Sequence, residues 1–349
     1  MTRLRLAIAG CGRVFERCHA PALSRSADWE VCAVCDPSEE RRRRAARAFP
    51  RSAVFESLER LLETSRADAL IVATPHALHA PIARIGLDAG LHVLVEKPMA
   101  TTAAEARALV DAAARSGKCL TVGFNRRFRK PYRAIRAGVE RAAAAAHHGA
   151  SFELITDGVR WGLAPDPMEI LLDVTSHAVD LVPWILGRSI RRVRVSLRSL
   201  RSGEIRADLE ADLGDGVRAA CSTGTGMRHR ESLRVRLERG ELRAPGRAGE
   251  LARSVTRRAL RRPSLTIESF IEEHAAFAEA ARGGRSRIAS GLDGLRAALA
   301  VEACAESLAA GGGWVDVPEV GGEEEGEKTG RGRGRGRGSG EEDGNGREP

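Results

Sequence analysis

The chain has 349 residues, a length that predicts two domains rather than one. It is 43% hydrophobic and 30% charged, enough apolar material for a sizeable core, and no run of 18 apolar residues occurs, which excludes a transmembrane helix. The net charge of +9 is carried by 52 Arg and only 4 Lys; with aromatics at 4% there is little for bases to stack on, so the excess reads as compositional bias and nucleic acid is not the expected partner.

The opening MTRLRLAIAG has too short an apolar stretch for a signal peptide and runs straight into structured sequence. Cysteines at 11, 18, 32, 35, 119, 221 and 304 form an odd, scattered set, unlike a secreted disulfide framework. The expected compartment is the cytosol. Cys32 and Cys35 form a C-x-x-C, but inside the strand-like EVCAVCD, where i and i+3 side chains point to opposite faces. No metal site is expected.

Residues 1–125 repeat one rhythm. Apolar runs at LRLAIAG, EVCAVCD, DALIVAT, HVLVEK and CLTVGF alternate with helix-compatible segments. Such alternation predicts βαβ units and a doubly wound parallel α/β sheet. At the end of the first strand, Gly10 and Gly12 match the first two glycines of a dinucleotide fingerprint, with Phe15 at the third position. The first glycine permits a tight turn and the second lets the backbone approach a pyrophosphate at a helix N-terminus. Asp36, at the end of the second strand, stands where a carboxylate bonds a ribose 2′-hydroxyl and repels a 2′-phosphate. That favours NAD over NADP. The plainer reading is an Asp that caps the next helix, and the run Arg41 to Arg44 offers a phosphate an alternative.

Further on, HVLVEKPMA places Lys97 at the carboxyl end of a strand, where ligands bind in open parallel sheets. A lysine there can donate to a substrate oxygen, or can simply pair with Glu96.

After Arg126 the pattern changes. A basic helical stretch precedes SFELITDGV, and EILLDVTSHAVDLVPWILG predicts a helix over 169–187, kinked at Pro183. In it Asp173, His177 and Asp180 share one face. A His is the natural proton acceptor near neutral pH, and a carboxylate beside it raises its basicity, although such a pair is more often structural. Four strand-like runs without intervening helices follow, then two helical segments at 266–284 and 291–311. Residues 126–320 therefore predict an α+β domain with a mixed, mostly antiparallel open sheet. Residues 321–349 hold no large apolar side chain and predict a disordered tail. Its RGRGRGRG core lies between acidic blocks, leaving 323–349 with 6 basic and 8 acidic residues.

These pieces together resemble the Gfo/Idh/MocA family of glucose–fructose oxidoreductase, inositol dehydrogenase and their relatives. The likeness runs from residue 4 to about 311 through AIAGCGRVFERCHAPAL, VCDP, VATPHALHAPIARIGLDAGLHVLVEKPMA, VGFNRRF, LLDVTSHAVDLVPWILG and the closing helices. It implies a nicotinamide cofactor on the first domain, held by Gly10, Gly12, Arg13, Val14, Asp36, Thr74, Pro75, His79, Glu96 and Lys97. It implies catalysis by Lys97 of the E-K-P motif with Asp173 and His177 of a D-x-G-x-H motif, and a cis Lys97–Pro98 bond. Arg126, Arg127 and Asp180 are candidate substrate contacts. A homodimer or homotetramer is expected through the open face of the second sheet, read as a large apolar patch. The chain departs from the family pattern at Phe15, at His76 in place of Asn, and at Thr175 in place of Gly.

The activity so implied is NAD(H)-dependent oxidation or reduction of a carbinol or carbonyl of a sugar, cyclitol or similar polyol. Two alternatives stand beside it: the NAD-dependent glycosidase chemistry of one branch of the family, and a nucleotide-binding regulatory protein without turnover.

Overall fold

The computed structural model describes residues 2–142, 147–158, 166–199, 204–226, 229–244 and 263–320, without the side chains of residues 147 and 148. The predicted tail at 321–349 lies outside them. Six apolar runs form parallel strands β1 (Leu4–Ala9), β2 (Trp29–Cys35), β3 (Ala53–Phe55), β4 (Ala69–Val72), β5 (His92–Glu96) and β6 (Leu120–Gly123). They lie in the order β6-β5-β4-β1-β2-β3. Every residue of β4 is buried, as expected for a parallel strand covered on both faces. The chain reverses direction across the sheet between β1 and β4, so the loops after these two strands flank the crevice where such sheets take ligands.

Local signals set the helices. Ser38 caps α1 (Glu39–Ala48), accepting from Arg41 N, and Thr102 with Glu105 forms a capping box on α2 (Ala103–Ser116). Between β1 and β2 the chain winds as a π-turn at Phe15–His19 before a short α-turn at Ala20–Leu23. Phe15, 1% exposed, lies in one core cluster with Leu6, Ile8 and Phe128. The bulky residue at the third fingerprint position is thus packed inside, against Phe49 at 6.2 Å between ring centroids.

The second sheet is built from β7 (His147–Asp157), β8 (Arg192–Ser199), β9 (Ile205–Asp212), β10 (Arg218–Gly226), β11 (Arg230–Leu237) and β12 (Gly240–Arg243). Its order is β12-β11-β7-β10-β9-β8 plus a closing edge pair at Val315–Asp316. Only β7 and β10 run parallel. Its inner face buries Phe152, Leu154, Val193, Val195, Leu209, Leu233 and Val235. Its outer face overturns the expectation of an apolar patch. Arg194 pairs there with Glu210 at 2.7 Å, Arg192 with Asp212 at 3.0 Å, and Arg198 with Asp208. Alternation explains the difference: the same period of 2 that turns Val193 and Val195 inward turns the arginines outward.

Two elements from late in the chain return to the first sheet. A helix at Leu265–Ala281 stacks Phe277 on Trp29 with ring centroids 5.0 Å apart. Ala289–Ser290 then adds an antiparallel strand to β6, and a capping box of Ser290 and Asp293 starts the helix Gly291–Ala309. Both sheets belong to one compact unit, residues 1–319. No helix among the described residues is long and apolar enough to cross a membrane, and all seven cysteines are free thiols.

Candidate active site

The site is assembled at the carboxyl ends of β1, β4 and β5. Gly10 has φ +94°, and a side-chain carbon there would stand 2.5 Å from the carbonyl oxygen of Ala73, so this turn accepts only glycine. At Gly12 the same carbon would meet nothing nearer than the Arg41 guanidinium at 4.0 Å. The space above this glycine is open, as a pyrophosphate approaching the backbone requires. Asp36 accepts from Cys11 N at 2.9 Å and from Ser38 N at 2.8 Å. It braces the glycine turn, while Ser38 is the actual helix cap. Arg13 is exposed and Val14 half-buried at this loop. The residues present therefore fit a dinucleotide, with the turn, the open backbone and the carboxylate all in place.

The loop after β4 carries Thr74 and Pro75 into a single turn at His76–Leu78. Buried His79 ties this loop to the segment after β5: its Nε2 lies 2.8 Å from the Thr74 carbonyl oxygen and its Nδ1 2.7 Å from that of Pro98. The Lys97–Pro98 peptide is cis. Glu96, also buried, points to the opposite side of the strand from Lys97, bonding His19 Nε2 at 3.0 Å. His19 Nδ1 in turn faces His274 Nε2 at 3.0 Å.

Lys97 reaches across to the other half of the chain. Its Nζ donates to the carbonyl oxygen of Asp173 at 2.8 Å and to the Asp173 carboxylate. The same carboxylate oxygen lies 3.6 Å from His76 Nε2. Burial works to raise the Asp173 carboxyl, but the nearby charges of Lys97, His76 and Arg126 more than offset it, and its pKa falls below the ordinary value. Burial, followed by Lys97, pushes His76 down to about 4. Both groups thus hold the charge state a proton acceptor or an ammonium anchor needs at neutral pH.

The expected Asp173–His177 pair does not form. Residues Ile170–Thr175 wind as a π-turn, whose i→i+5 bonds change the angular spacing, and only Ser176–Leu186 is regular α-helix, passing through Pro183. Asp173 bonds Lys97, not His177. His177 Nδ1 is enclosed without a hydrogen-bond partner among the described residues. Burial, then Arg126 and Lys97, hold the His177 ring well below its usual pKa, hence neutral. Asp180 turns into the core and takes Arg127 in a forked pair, at 2.5 Å to Nη2 and 3.1 Å to Nε. Thr175, standing where the family has Gly, bonds Thr223 of β10 at 2.7 Å. That departure is absorbed by packing.

Arg126 donates to Glu231 on β11, a residue that sequence reasoning passed over. Arg129 at 2.7 Å, His229 at 3.1 Å and the Tyr132 hydroxyl converge on the same carboxylate. A signal existed: Glu231 shares its strand phase with Leu233 and Val235, so a charge occupies an inward position. A hollow of about 650 Å³ elsewhere, lined by Arg194, Glu210, Ser222 and Arg234 among others, lies on the outer face of the second sheet and contains none of these groups.

Comparison with known proteins places this geometry. A family model described as an oxidoreductase family with an NAD-binding Rossmann fold matches residues 4–124. The dTDP-3,4-didehydro-2,6-dideoxy-alpha-D-glucose 3-reductase of Streptomyces violaceoruber is 32% identical over 296 residues, 80% of this chain and 85% of its own. Inositol 2-dehydrogenase 4 of Saccharopolyspora erythraea is 28% identical over 321 residues, 86% and 92%. An oxidoreductase of Salmonella typhimurium is matched over less of its length, 64%, at 32% identity. In fold, the crystal structure of myo-inositol 2-dehydrogenase from Lactobacillus plantarum superimposes with a TM-score of 0.78 at 20% identity, covering 91% of this chain and 100% of that one. Sequence, fold and the glycine turn agree: the chain belongs to the Gfo/Idh/MocA family of NAD-binding oxidoreductases and is a dehydrogenase or reductase of that family.

Proposed function

We propose that the chain is an NAD(H)-dependent oxidoreductase acting on a carbinol or carbonyl of a sugar, cyclitol or related polyol, with residues 1–125 holding the cofactor and 126–320 completing the substrate site. The observation that carries this reading is Lys97, fixed by Asp173 at the carboxyl end of β5, whose charge helps keep His177 neutral, the Nδ1 of that ring having no hydrogen-bond partner among the described residues. The names of the reductase and inositol dehydrogenase relatives support the substrate class.

Gly10, Gly12 and Asp36 would hold the dinucleotide, flanked by Arg13, Val14, Thr74, Pro75, His79 and Glu96. The nicotinamide, when bound, supplies the hydride acceptor or donor. An ammonium has three protons. Two of those on Lys97 go to Asp173, and the third is available to a substrate oxygen, where it steadies developing negative charge. His177, kept neutral, takes the hydroxyl proton in oxidation and returns it in reduction. Asp173 anchors Lys97. Arg126, whose Nε is enclosed without a partner among the described residues, is the better substrate candidate of the arginine pair, since Arg127 is spent on Asp180.

Thermal unfolding with NAD and NADH tests the cofactor step: at about a hundredfold excess over Kd, binding adds about 2.7 kcal/mol. A polyol screen for NADH formation then tests the substrate class. A shift without turnover on any polyol, joined to hydrolysis of a glycoside, would replace this reading with the glycosidase one. The proposed compartment is the cytosol, in keeping with seven free thiols. We also propose a homodimer or homotetramer joined through the charged outer face; sedimentation should then show association that weakens with salt, and a monomer at low salt refutes it.

A further inference from the structure

We infer that His274 and His19 are positioning residues for Lys97: a buried relay of hydrogen bonds runs in one direction from the helix Leu265–Ala281 through both imidazoles to Glu96, and holds the base of the Lys97 side chain from behind. This rests on the reading of Lys97 given above and adds the residues that place it.

The relay is continuous. His274 Nε2 lies 3.0 Å from His19 Nδ1, and His19 Nε2 lies 3.0 Å from Glu96 Oε1. The other carboxylate oxygen, Oε2, accepts from the backbone N of Lys97 at 3.2 Å. Both histidines are fully buried, and Glu96 is buried with them. The two rings lie within 22° of parallel with centroids 5.2 Å apart. With the bonded nitrogens 3.0 Å apart, that separation sets them edge to edge rather than face to face, so a ring N–H points along its partner's lone pair.

The far end of the relay sets its direction. Burial, then His19, holds the His274 ring well below its usual pKa, hence neutral, with one N–H and one bare nitrogen. Its Nδ1 has no partner among the described residues. A buried N–H without an acceptor is costly, so the proton belongs on Nε2, where it donates to His19 Nδ1. A His19 that accepts at Nδ1 carries its own proton at Nε2 and donates it to Glu96. Burial works to raise the Glu96 carboxyl, but His19 and then Lys97 bring it below its ordinary value, and a carboxylate only accepts.

The surroundings hold each member in place. Phe270 packs edge-on against His19 with centroids 5.0 Å apart, and Trp29 Nε1 donates to the His274 carbonyl oxygen at 2.8 Å. A side-chain carbon at Gly123 of β6 would stand 3.1 Å from the Glu96 carboxyl, so this glycine gives the carboxylate its seat. Lys97 is thereby held at two points, its backbone N by Glu96 and its ammonium by Asp173. Displacing a reacting group by about 1 Å costs up to about a hundredfold in rate, which is the scale on which such a hold matters.

The experiment is steady-state kinetics of the full chain with NAD and a polyol, for wild type, His274→Gln, His274→Leu and His274→Asn, joined to imidazole nitrogen NMR of the wild type. Gln carries an N–H to the place of Nε2, Leu carries none, and Asn is polar but too short to reach His19. The Leu and Asn variants should lower kcat and kcat/KM together by about tenfold or more, while Gln stays within about threefold of wild type. The spectra should show His274 protonated at Nε2. Should the Leu variant fail to fold, Gln against Asn decides. Turnover of Asn within about threefold of wild type, Gln and Asn falling equally, or His274 protonated at Nδ1 each overturns the relay and leaves the function standing. A wild type inactive on every polyol overturns the function itself, and the positioning role with it.

Discussion

Two charge clusters lie side by side in this molecule and differ in what their cations hold. In one, Glu231 gathers Arg126, Arg129, His229 and Tyr132, while Asp180 takes the fork of Arg127. In the other, Lys97 holds Asp173, and His177 has a ring nitrogen with no partner among the described residues. Both are enclosed and both perturb pKa values, so burial and charge alone do not separate a structural network from a catalytic one. Nor does unmet hydrogen-bonding capacity by itself, since Arg126 Nε of the first cluster, like His177 Nδ1 of the second, has no partner among the described residues. The two clusters meet at Arg126, whose charge helps keep His177 neutral.

The sharpest way to break this comparison is Lys97→Met. Turnover should fall by about a thousandfold or more, while the thermal shift on adding NAD persists. Turnover within about tenfold of wild type would remove Lys97 from the chemistry. Asp180→Ala attacks the first cluster and should cost about 3 kcal/mol in urea unfolding, because buried Arg127 loses its forked partner and keeps only Asp293 at 3.4 Å. A stable variant with a raised KM would instead put Asp180 against the substrate, as the helical spacing suggested.

That last point marks where the sequence stops being legible. The parallel sheet, the glycine turn and Lys97 were readable because each depends on a local pattern: strand periodicity, a turn only glycine can make, a motif at a strand end. The π-turn at Ile170–Thr175 was not, since ILLDVT carries no composition distinguishing i→i+5 from i→i+4 winding, and neither was the Lys97–Asp173 bond, which joins residues far apart in sequence. The return of Ala289–Ser290 to β6 is a pairing at long sequence separation, with no local trace. The outer face of the second sheet was legible and misread: RVRVSLR alternates Arg with Val, and only the Val phase is buried.

Glu273 extends the comparison, because it is a buried carboxyl that no proposed step uses. Both its oxygens are enclosed without partners among the described residues. Burial, aided by the charges of Glu96 and Asp180, raises its pKa well above the ordinary 4.5. A carboxyl raised on folding contributes stability that is present at low pH and lost as pH climbs past the unfolded value. Glu273→Gln removes that loss, so the variant should gain on wild type by up to about 1.4 kcal/mol per pH unit above the unfolded value, until the folded carboxyl ionises. Melting curves of both proteins at acidic and mildly alkaline pH check it. A gain that does not grow with pH would mean the carboxyl is already ionised and has a partner.

The smallest effect is expected where charges are most numerous. On the outer face of the second sheet Arg194 and Glu210 are both about 45% exposed, at 44% and 45%. Solvent screens such a pair, and holding two long side chains in place costs entropy. Arg194→Ala should therefore change the stability of the isolated chain by less than about 1 kcal/mol. If it costs several times that in unfolding experiments at high dilution, the ladder is a cooperative network. If the cost appears only at high protein concentration, the arginine works between subunits, and the outer face is where copies of the chain meet.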